Sequence, residues 1–577
     1  MRSWPHDDRR TQEFVGSQQC RECHEEIFRR YQSHPMSRSV RTVTELSDSR
    51  VARNAEFQQG PCQYEVDWRP DAMIHTEIGE TFDGAPLYQQ DFEVEFAVGS
   101  GQRGYSFLSY QSGGLFQSAL TWYAEQETWD LSPGYRPESH PRFERRVSDG
   151  CVACHFGRMS PVDSAPHRFH EDVVEEAAIG CERCHGPGGT HVRFQSGESD
   201  LVDSIVNPSD LPPAHRESVC YQCHLHGVDR ILREGRSEYD FRPGDLLSDI
   251  WTVFVSEESV DASGTSAVSQ VEQITGSQCF QQSQGAFGCI SCHDPHGIPR
   301  EDERVAYYRN RCLTCHGEER TPCGLPAEQR TTQNPMDSCI DCHMPKLSAN
   351  DVPHTSQTDH RILKQPQQPA FDANSKSGQS LSVFQRDQFP VSAESGRRAT
   401  GLLFANQASA TNSPRTAAES AELLAEFLAS PSEDVPVLKA QSFNLYLLRN
   451  PQSQRLAELA NEREPMNEAV LETLSLICQH TGQISKGIEY TQELLRLNPW
   501  NSPVWERLAV LQQNLGNEDA ALESAIRSTE INPRRISAHR LAESLAKKLN
   551  RESIAERHRR FVDALSNGPT RAGDSGP

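Results

Sequence analysis

The chain is 577 residues long, 36% hydrophobic, and carries a formal charge of −24 at pH 7; it is too long for one ordinary domain and thin in apolar material for a conventional core of that size. No run approaches the roughly 18 consecutive apolar residues of a membrane-spanning helix, and no basic stripe for phosphate is present, which excludes a nucleic-acid binder. An acidic surface suits instead a partner with a basic face and salt-sensitive association.

The first residues, MRSWPHDDRRTQEFV, lack the apolar run of a secretory signal, and Arg9-Arg10 is not followed by one. Residues 1–45 hold a first CxxCH motif, Cys20-Cys23-His24. Residues 46–140 contain no such motif and read as a β-rich insertion, with strands expected over Asp91–Val98, Tyr105–Tyr110 and Leu115–Tyr123 between GSGQRG and QSGG turns. Residues 141–365 carry six more motifs: Cys151-Cys154-His155, Cys181-Cys184-His185, Cys220-Cys223-His224, Cys289-Cys292-His293, Cys312-Cys315-His316 and Cys339-Cys342-His343. Short helices ending in the motifs and joined by Gly/Pro loops fit that density, with the prosthetic groups themselves forming much of the core.

The stretch KQPQQPAFDANSKSGQS opens a linker over 366–400. Beyond it Pro431, Pro465, Pro499 and Pro533 recur every 34 residues, and Trp505, Leu508, Ala509, Gly516 and Ala521 share a phase with Leu471, Leu474, Ser475 and Gly482. That period predicts helical hairpins over 401–568, each burying its apolar face only against its neighbours and folding independently of the rest, with a disordered tail at 569–577. The expected class is therefore mainly α: a domain of short helices and loops dense in CxxCH motifs, a small β-rich insertion and a C-terminal α-solenoid.

The chemistry lies in the cysteines, 14 of whose 18 fall in the seven motifs. Two thiols three residues apart reach the two vinyl groups of one porphyrin, and the following His lies under the iron. Zinc ribbons and redox CxxC pairs share the cysteine spacing, but neither asks for a His after every pair. Seven haem c groups are expected, each with a proximal His, since Lys first occurs at Lys346 and no CxxCK variant exists.

A low-spin iron needs a second axial ligand, and the His residues near the motifs are candidates: His34, His75, His191, His296, His354 and His360. Six candidates for seven irons leave one with an open position or with a ligand from a distant loop. Of the remaining thiols, Cys279 and Cys323 can form a disulfide in an oxidising compartment, and Cys62 and Cys478 stand apart.

The segments CRECHEEIFRRYQSHPMS, GCERCHGPGGTHV, GCISCHDPHG and SCIDCHMPK followed by HTSQTDHRI cover most of residues 15–365 and resemble multihaem cytochromes of the c-552/4 type. The unit over about 415–568 resembles the tetratricopeptide (TPR) repeat. The resemblance implies a periplasmic or otherwise extracytoplasmic location, so the given start is expected to lack its leader. Octahaem hydroxylamine oxidoreductases, also similar, carry one motif more than this chain, and pentahaem nitrite reductases use a Lys-ligated haem, so no catalytic residue carries over. The expected function is electron transfer along closely packed, mostly bis-His haems, with the repeats docking a redox partner. The alternative is an oxidoreductase with one five-coordinate haem acting on a small nitrogen or sulfur compound.

Overall fold

The computed structural model describes residues 13–81, 84–137, 140–198, 200–256, 270–317, 323–349, 351–364, 381–428 and 434–566. Helix α1 (Ser17–Tyr31) carries the first motif and kinks at His24, whose φ of −118° and ψ of 39° leave the helical region. The chain then builds two antiparallel sheets from β1 (Val40–Thr42), β2 (Asn54–Gln59), β3 (Cys62–Trp68), β4 (Met73–Glu80), β5 (Pro86–Val94), β6 (Phe96–Val98), β7 (Gly104–Gln111), β8 (Gly114–Tyr123), β9 (Thr128–Leu131) and β10 (Arg145–Arg146). One sheet runs β2-β3-β4-β5; the other runs β1-β6-β7-β8-β10, with β9 beside β8.

Alternation along β3 turns Cys62, Tyr64, Val66 and Trp68 inward, where they share a core with Phe107, Trp122 and Trp129 of the second sheet. The strands expected at 91–98, 105–110 and 115–123 are present as β5 to β8. The boundaries at 46 and 140 cut through the second sheet, because Val40 pairs with Val98 and Arg146 with Phe116; β1 and β10 are too short to show a periodicity. Glu77, wholly buried, accepts from the Tyr64 and Tyr88 hydroxyls at 2.8 and 2.7 Å and from Arg142 Nη1 at 2.8 Å. His140 joins this cluster, and burial pushes its pKa down to about 3, so it is neutral there.

The motif-bearing region alternates short elements: α2 (Asp149–His155), β11 (Arg158–Pro161), β12 (Phe169–Glu176), α3 (Glu182–His185), α4 (Gly189–Gln195), α5 (Pro213–His224), β13 (Asp229–Leu232), β14 (Trp251–Ser256), α6 (Gln270–Thr275) and α7 (Gln278–Gln282). It continues through α8 (Cys289–Cys292), α9 (Arg304–Leu313), α10 (Ala327–Gln333), α11 (Cys339–His343) and the hairpin of β15 (Lys346–Ser348) with β16 (Ser356–Thr358).

Part of the expected linker carries regular structure. Residues 365–380 lie outside the described residues, but β17 (Leu381–Val383) pairs with β14, and α12 (Ala393–Thr411) opens the helical part. With α13 (Pro414–Leu424), α14 (Val435–Leu447), α15 (Gln452–Arg463), α16 (Glu468–Thr481), α17 (Ile484–Leu497), α18 (Ser502–Asn514), α19 (Glu518–Ile531), α20 (Ile536–Lys548) and α21 (Glu552–Ser566), it makes five successive helical hairpins. Pro465, Pro499 and Pro533 sit in turns between hairpins, where a residue without an N–H cannot continue the helix. Asn467, Asn501 and Asn517 cap the helices that follow them, and Gly482 ends α16 at φ +73°, a left-handed conformation that favours glycine. Pro431 and the tail at 569–577 lie outside the described residues.

The helical part is docked onto the rest of the molecule. Glu144 accepts from Ser502 N at 2.7 Å and from Asn532 Nδ2 at 2.8 Å, Gln90 Nε2 donates to Ile531 O at 2.7 Å, and Arg168 Nη1 donates to Leu497 O at 2.6 Å. At its start, Ala399, Leu402 and Leu403 of α12 pack with Ile231 and Phe254. The expected independence of the repeats therefore does not describe this chain, whose first hairpin shares a core with β13 and β14.

Candidate metal centres

All seven motifs open on one cavity of about 4290 Å³, several times the roughly 300–1,000 Å³ of an ordinary small-molecule pocket. The seven motif His residues and thirteen of the motif cysteines line it; the other, Cys151, is exposed. His34, His191, His296 and His360 also line it, whereas His75 and His354 do not.

Three imidazole pairs face each other across this cavity. The rings of His24 and His191 are 6.4 Å apart and 21° from parallel, those of His185 and His296 are 5.9 Å apart at 4°, and those of His293 and His360 are 6.3 Å apart at 27°. An imidazole nitrogen bonds a metal at about 2 Å and lies about 1 Å from its ring centre, so two imidazoles on opposite sides of one iron have centres about 6 Å apart. The donor sets of motifs 1, 3 and 5 thus fit a six-coordinate haem iron.

Neighbouring groups fix the tautomer. His185 Nδ1 is 2.8 Å from Val206 O, His343 Nδ1 is 2.7 Å from Leu363 O, and His360 Nδ1 is 2.8 Å from Thr358 O. A carbonyl holds the proton on Nδ1 and leaves the Nε2 lone pair for a metal. The Asp203 carboxylate, 2.8 Å from His191 Nδ1, does the same. Burial lowers the pKa of His155, His185, His224, His296 and His360, and pushes His293 to about 4, so all six are neutral and metal-competent near pH 7.

His34 differs. Its Nδ1 accepts from Met36 N at 3.2 Å, which puts the neutral ring's proton on Nε2. His75 corrects the ligand expectation. It is wholly buried inside the insertion, edge-on to Phe107 and Trp129 and 2.6 Å from Ser118 Oγ, because the alternation of β4 turns it into the core. His354 is held by Asp130 Oδ2 at 2.6 Å and does not line the cavity. Cys279 and Cys323 are free thiols in this structure, as are Cys62 and Cys478, both buried.

The motifs touch one another. Ser17 Oγ of motif 1's helix accepts from Cys181 N at 2.9 Å, and Glu182 accepts from Val15 N and Gly16 N at 3.0 and 2.8 Å. Cys154 Sγ lies 3.7 Å from Gln222 O, Gln222 Nε2 lies 3.4 Å from Arg183 O, and Glu217 accepts from Cys289 N at 3.0 Å. Tyr308, one turn ahead of Cys312, meets the His293 ring edge-on at 6.1 Å, and Arg309 pairs with Asp337 at 2.7 Å. No sequence signal marks Asp203, Glu182 or Glu217, whose partners are set by the tertiary fold.

Comparison with known proteins agrees with the chemistry. Residues 283–321 match the doubled CXXCH motif, and residues 121–186 match cytochrome c554 and c-prime. The multiheme cytochrome MtrA of Shewanella baltica (strain OS185) is 25% identical over 195 residues, covering 31% of this chain and 56% of MtrA, so the chain spans little more than half the length of that relative. Among solved structures, MamA of AMB-1 is 20% identical with a TM-score of 0.28, covering 31% of this chain and 93% of that one. MamA from Desulfovibrio magneticus RS-1 is 12% identical with a TM-score of 0.28, covering 30% and 98%. The sequence matches support a multihaem c-type cytochrome that binds haem c.

Proposed function

We propose that this chain is an extracytoplasmic carrier that moves electrons through seven haem c groups, at least three of them bis-His. The observation that carries the reading is the three imidazole pairs spaced for one iron each, His24/His191, His185/His296 and His293/His360. Bound haem supplies a one-electron iron couple, and the chain's residues set its potential through axial ligand, burial and hydrogen bonding. Each paired His comes from a segment other than that of its motif, so the ligands interlock the motifs and hold them in contact. Those contacts favour a route through motifs 1, 3, 4, 5, 6 and 7 in that order, with motif 2 joining at motif 4 through Cys154 and Gln222. The hairpins from α14 onward suit docking of a redox partner protein, whose chemistry would complement a chain of net charge −24.

A second reading is favoured by His34 alone. With its proton on Nε2, that ring would offer a hydrogen-bond donor to the cavity in place of a ligand, which is what an open iron position handling a small nitrogen or sulfur compound would use. Electron paramagnetic resonance of the ferric protein, with a pyridine haemochrome count, separates the readings. Seven haems with only low-spin signals support the carrier; one high-spin signal supports the oxidoreductase; fewer than seven haems overturns the count.

A further inference from the structure

We propose that Asp130 of the motif-free insertion is a positioning residue for the fifth haem site, acting through His354 on the loop that delivers His360. The proposal rests on reading His360 as the axial partner of His293.

β15 and β16 pair over three residues only, and β16 ends two residues before His360. The His360 ring must nonetheless stand 6.3 Å from that of His293, and a displacement of an ångström would lengthen a bond whose ordinary length is about 2 Å. Two elements anchor the segment from outside. One is α6, where Gln273 Oε1 accepts from His360 N at 2.7 Å and Gln270 Nε2 donates to Gln357 Oε1 at 3.2 Å. The other comes from the insertion: Asp130 Oδ2 lies 2.6 Å from His354 Nε2, the Tyr123 ring meets the His354 ring at 5.0 Å and 66°, and Ser356 Oγ donates to the Glu125 carboxylate at 3.0 Å. Tyr123, Glu125 and Asp130 belong to β8, β9 and the turn between them.

Asp130 is itself held. Its Oδ1 accepts from Gln59 Nε2 at 2.9 Å and from its neighbour Leu131 N at 2.7 Å, so the carboxylate is aimed before His354 reaches it. Between the two anchors Thr355, Gln357 and Asp359 are buried, and the segment between His354 and His360 has little freedom of its own. A carboxylate against one end of the loop therefore sets the angle and distance at which an imidazole at the other end can approach iron. This gives the insertion a redox role although it carries no attachment motif: it tunes one site out of seven.

The test uses the full, haem-loaded chain and three variants, His360→Ala, His354→Ala and His354→Gln, each with a pyridine haemochrome count. His360→Ala identifies the fifth site as the low-spin signal that turns high-spin. His354→Ala is expected to broaden and shift that same signal and move one midpoint potential, with six sites and the haem count unchanged. His354→Gln, whose amide can still donate to Asp130, is expected to restore the signal. If His360→Ala converts no signal, the ligand reading fails and takes this proposal with it. If His360→Ala converts one signal but His354→Ala leaves it in place, or moves several sites together, the positioning role is overturned while the ligand reading stands.

Discussion

His185 and His296 face each other 5.9 Å apart and 4° from parallel, one from the third motif and the other three residues beyond the fifth. A single iron between them would tie the third motif to the segment that follows the fifth. His296→Ala is expected to leave the haem count intact, because the thioethers are untouched, and to convert one low-spin iron to high-spin. Ferric paramagnetic resonance reads this directly, and an unchanged spectrum would show that His296 is not a ligand.

Replacing Cys289 and Cys292 together by Ala is expected to remove one haem from the count and to destabilise the motif region. Cys220 and Cys289 pack against the cluster of Val219, Tyr221 and Trp251, so the lost group would leave an unfilled space inside that core. The haemochrome assay and a thermal melt check the two parts separately.

The chain cannot be cut where its composition changes. Ending it at residue 364 removes β17 and α12, strips the cover from Ile231 and Phe254, and takes away Arg398, which donates to Leu232 O at 2.8 Å. A chain ending at 428 keeps all three. The shorter form is expected to be the less stable and more readily proteolysed of the two, and equal stabilities would restore the picture of a free-standing helical part.

What the sequence disclosed and withheld follows from the range of each interaction. Haem attachment is local, fixed by residues three and four apart, so every motif was legible, as were the alternating strands and the 34-residue period of the prolines. Ligand pairing is not local: nothing near His24 points to His191, and His75 looked eligible only because its position facing Phe107 and Trp129 depends on a two-sheet core. Cys279 and Cys323 were eligible as a pair only by composition, and the structure leaves both thiols free. The strand at Leu381–Val383 lies in a Gln- and Ser-rich stretch and is too short to carry a pattern.

Arg142 and Glu77 form a buried ion pair inside the insertion, at 2% and 0% side-chain exposure. Removing one partner strands the other charge, and Arg142→Ala is expected to cost about 3–5 kcal/mol. Glu77→Leu combined with Arg142→Leu should cost less than the single change, since no uncompensated charge remains. Thermal denaturation of the three proteins decides it, and a double variant worse than the single one would contradict the assignment.

The last hairpin carries a pH response of its own. His539 Nε2 donates to Pro533 O at 3.0 Å, so its Nδ1 accepts from His558 Nδ1 at 2.9 Å, a bond that needs the His539 ring neutral. Burial pushes both from the usual 6.5 down to about 4; Arg557 adds to the shift at both rings, and Glu543 opposes it at His558. An unfolded hairpin takes up protons near pH 6.5 while the folded one does not until about pH 4. The stabilisation is therefore complete above about pH 6.5 and lost as the pH falls towards 4, by at most about 1.4 kcal/mol per pH unit for each ring. Hydrogen exchange across α20 and α21 should accelerate beyond its intrinsic pH dependence between pH 7 and 5, while α16 and α17 hold. In His558→Gln that extra acceleration should shrink, because one titrating ring is gone; acceleration equal in variant and parent would place its origin elsewhere.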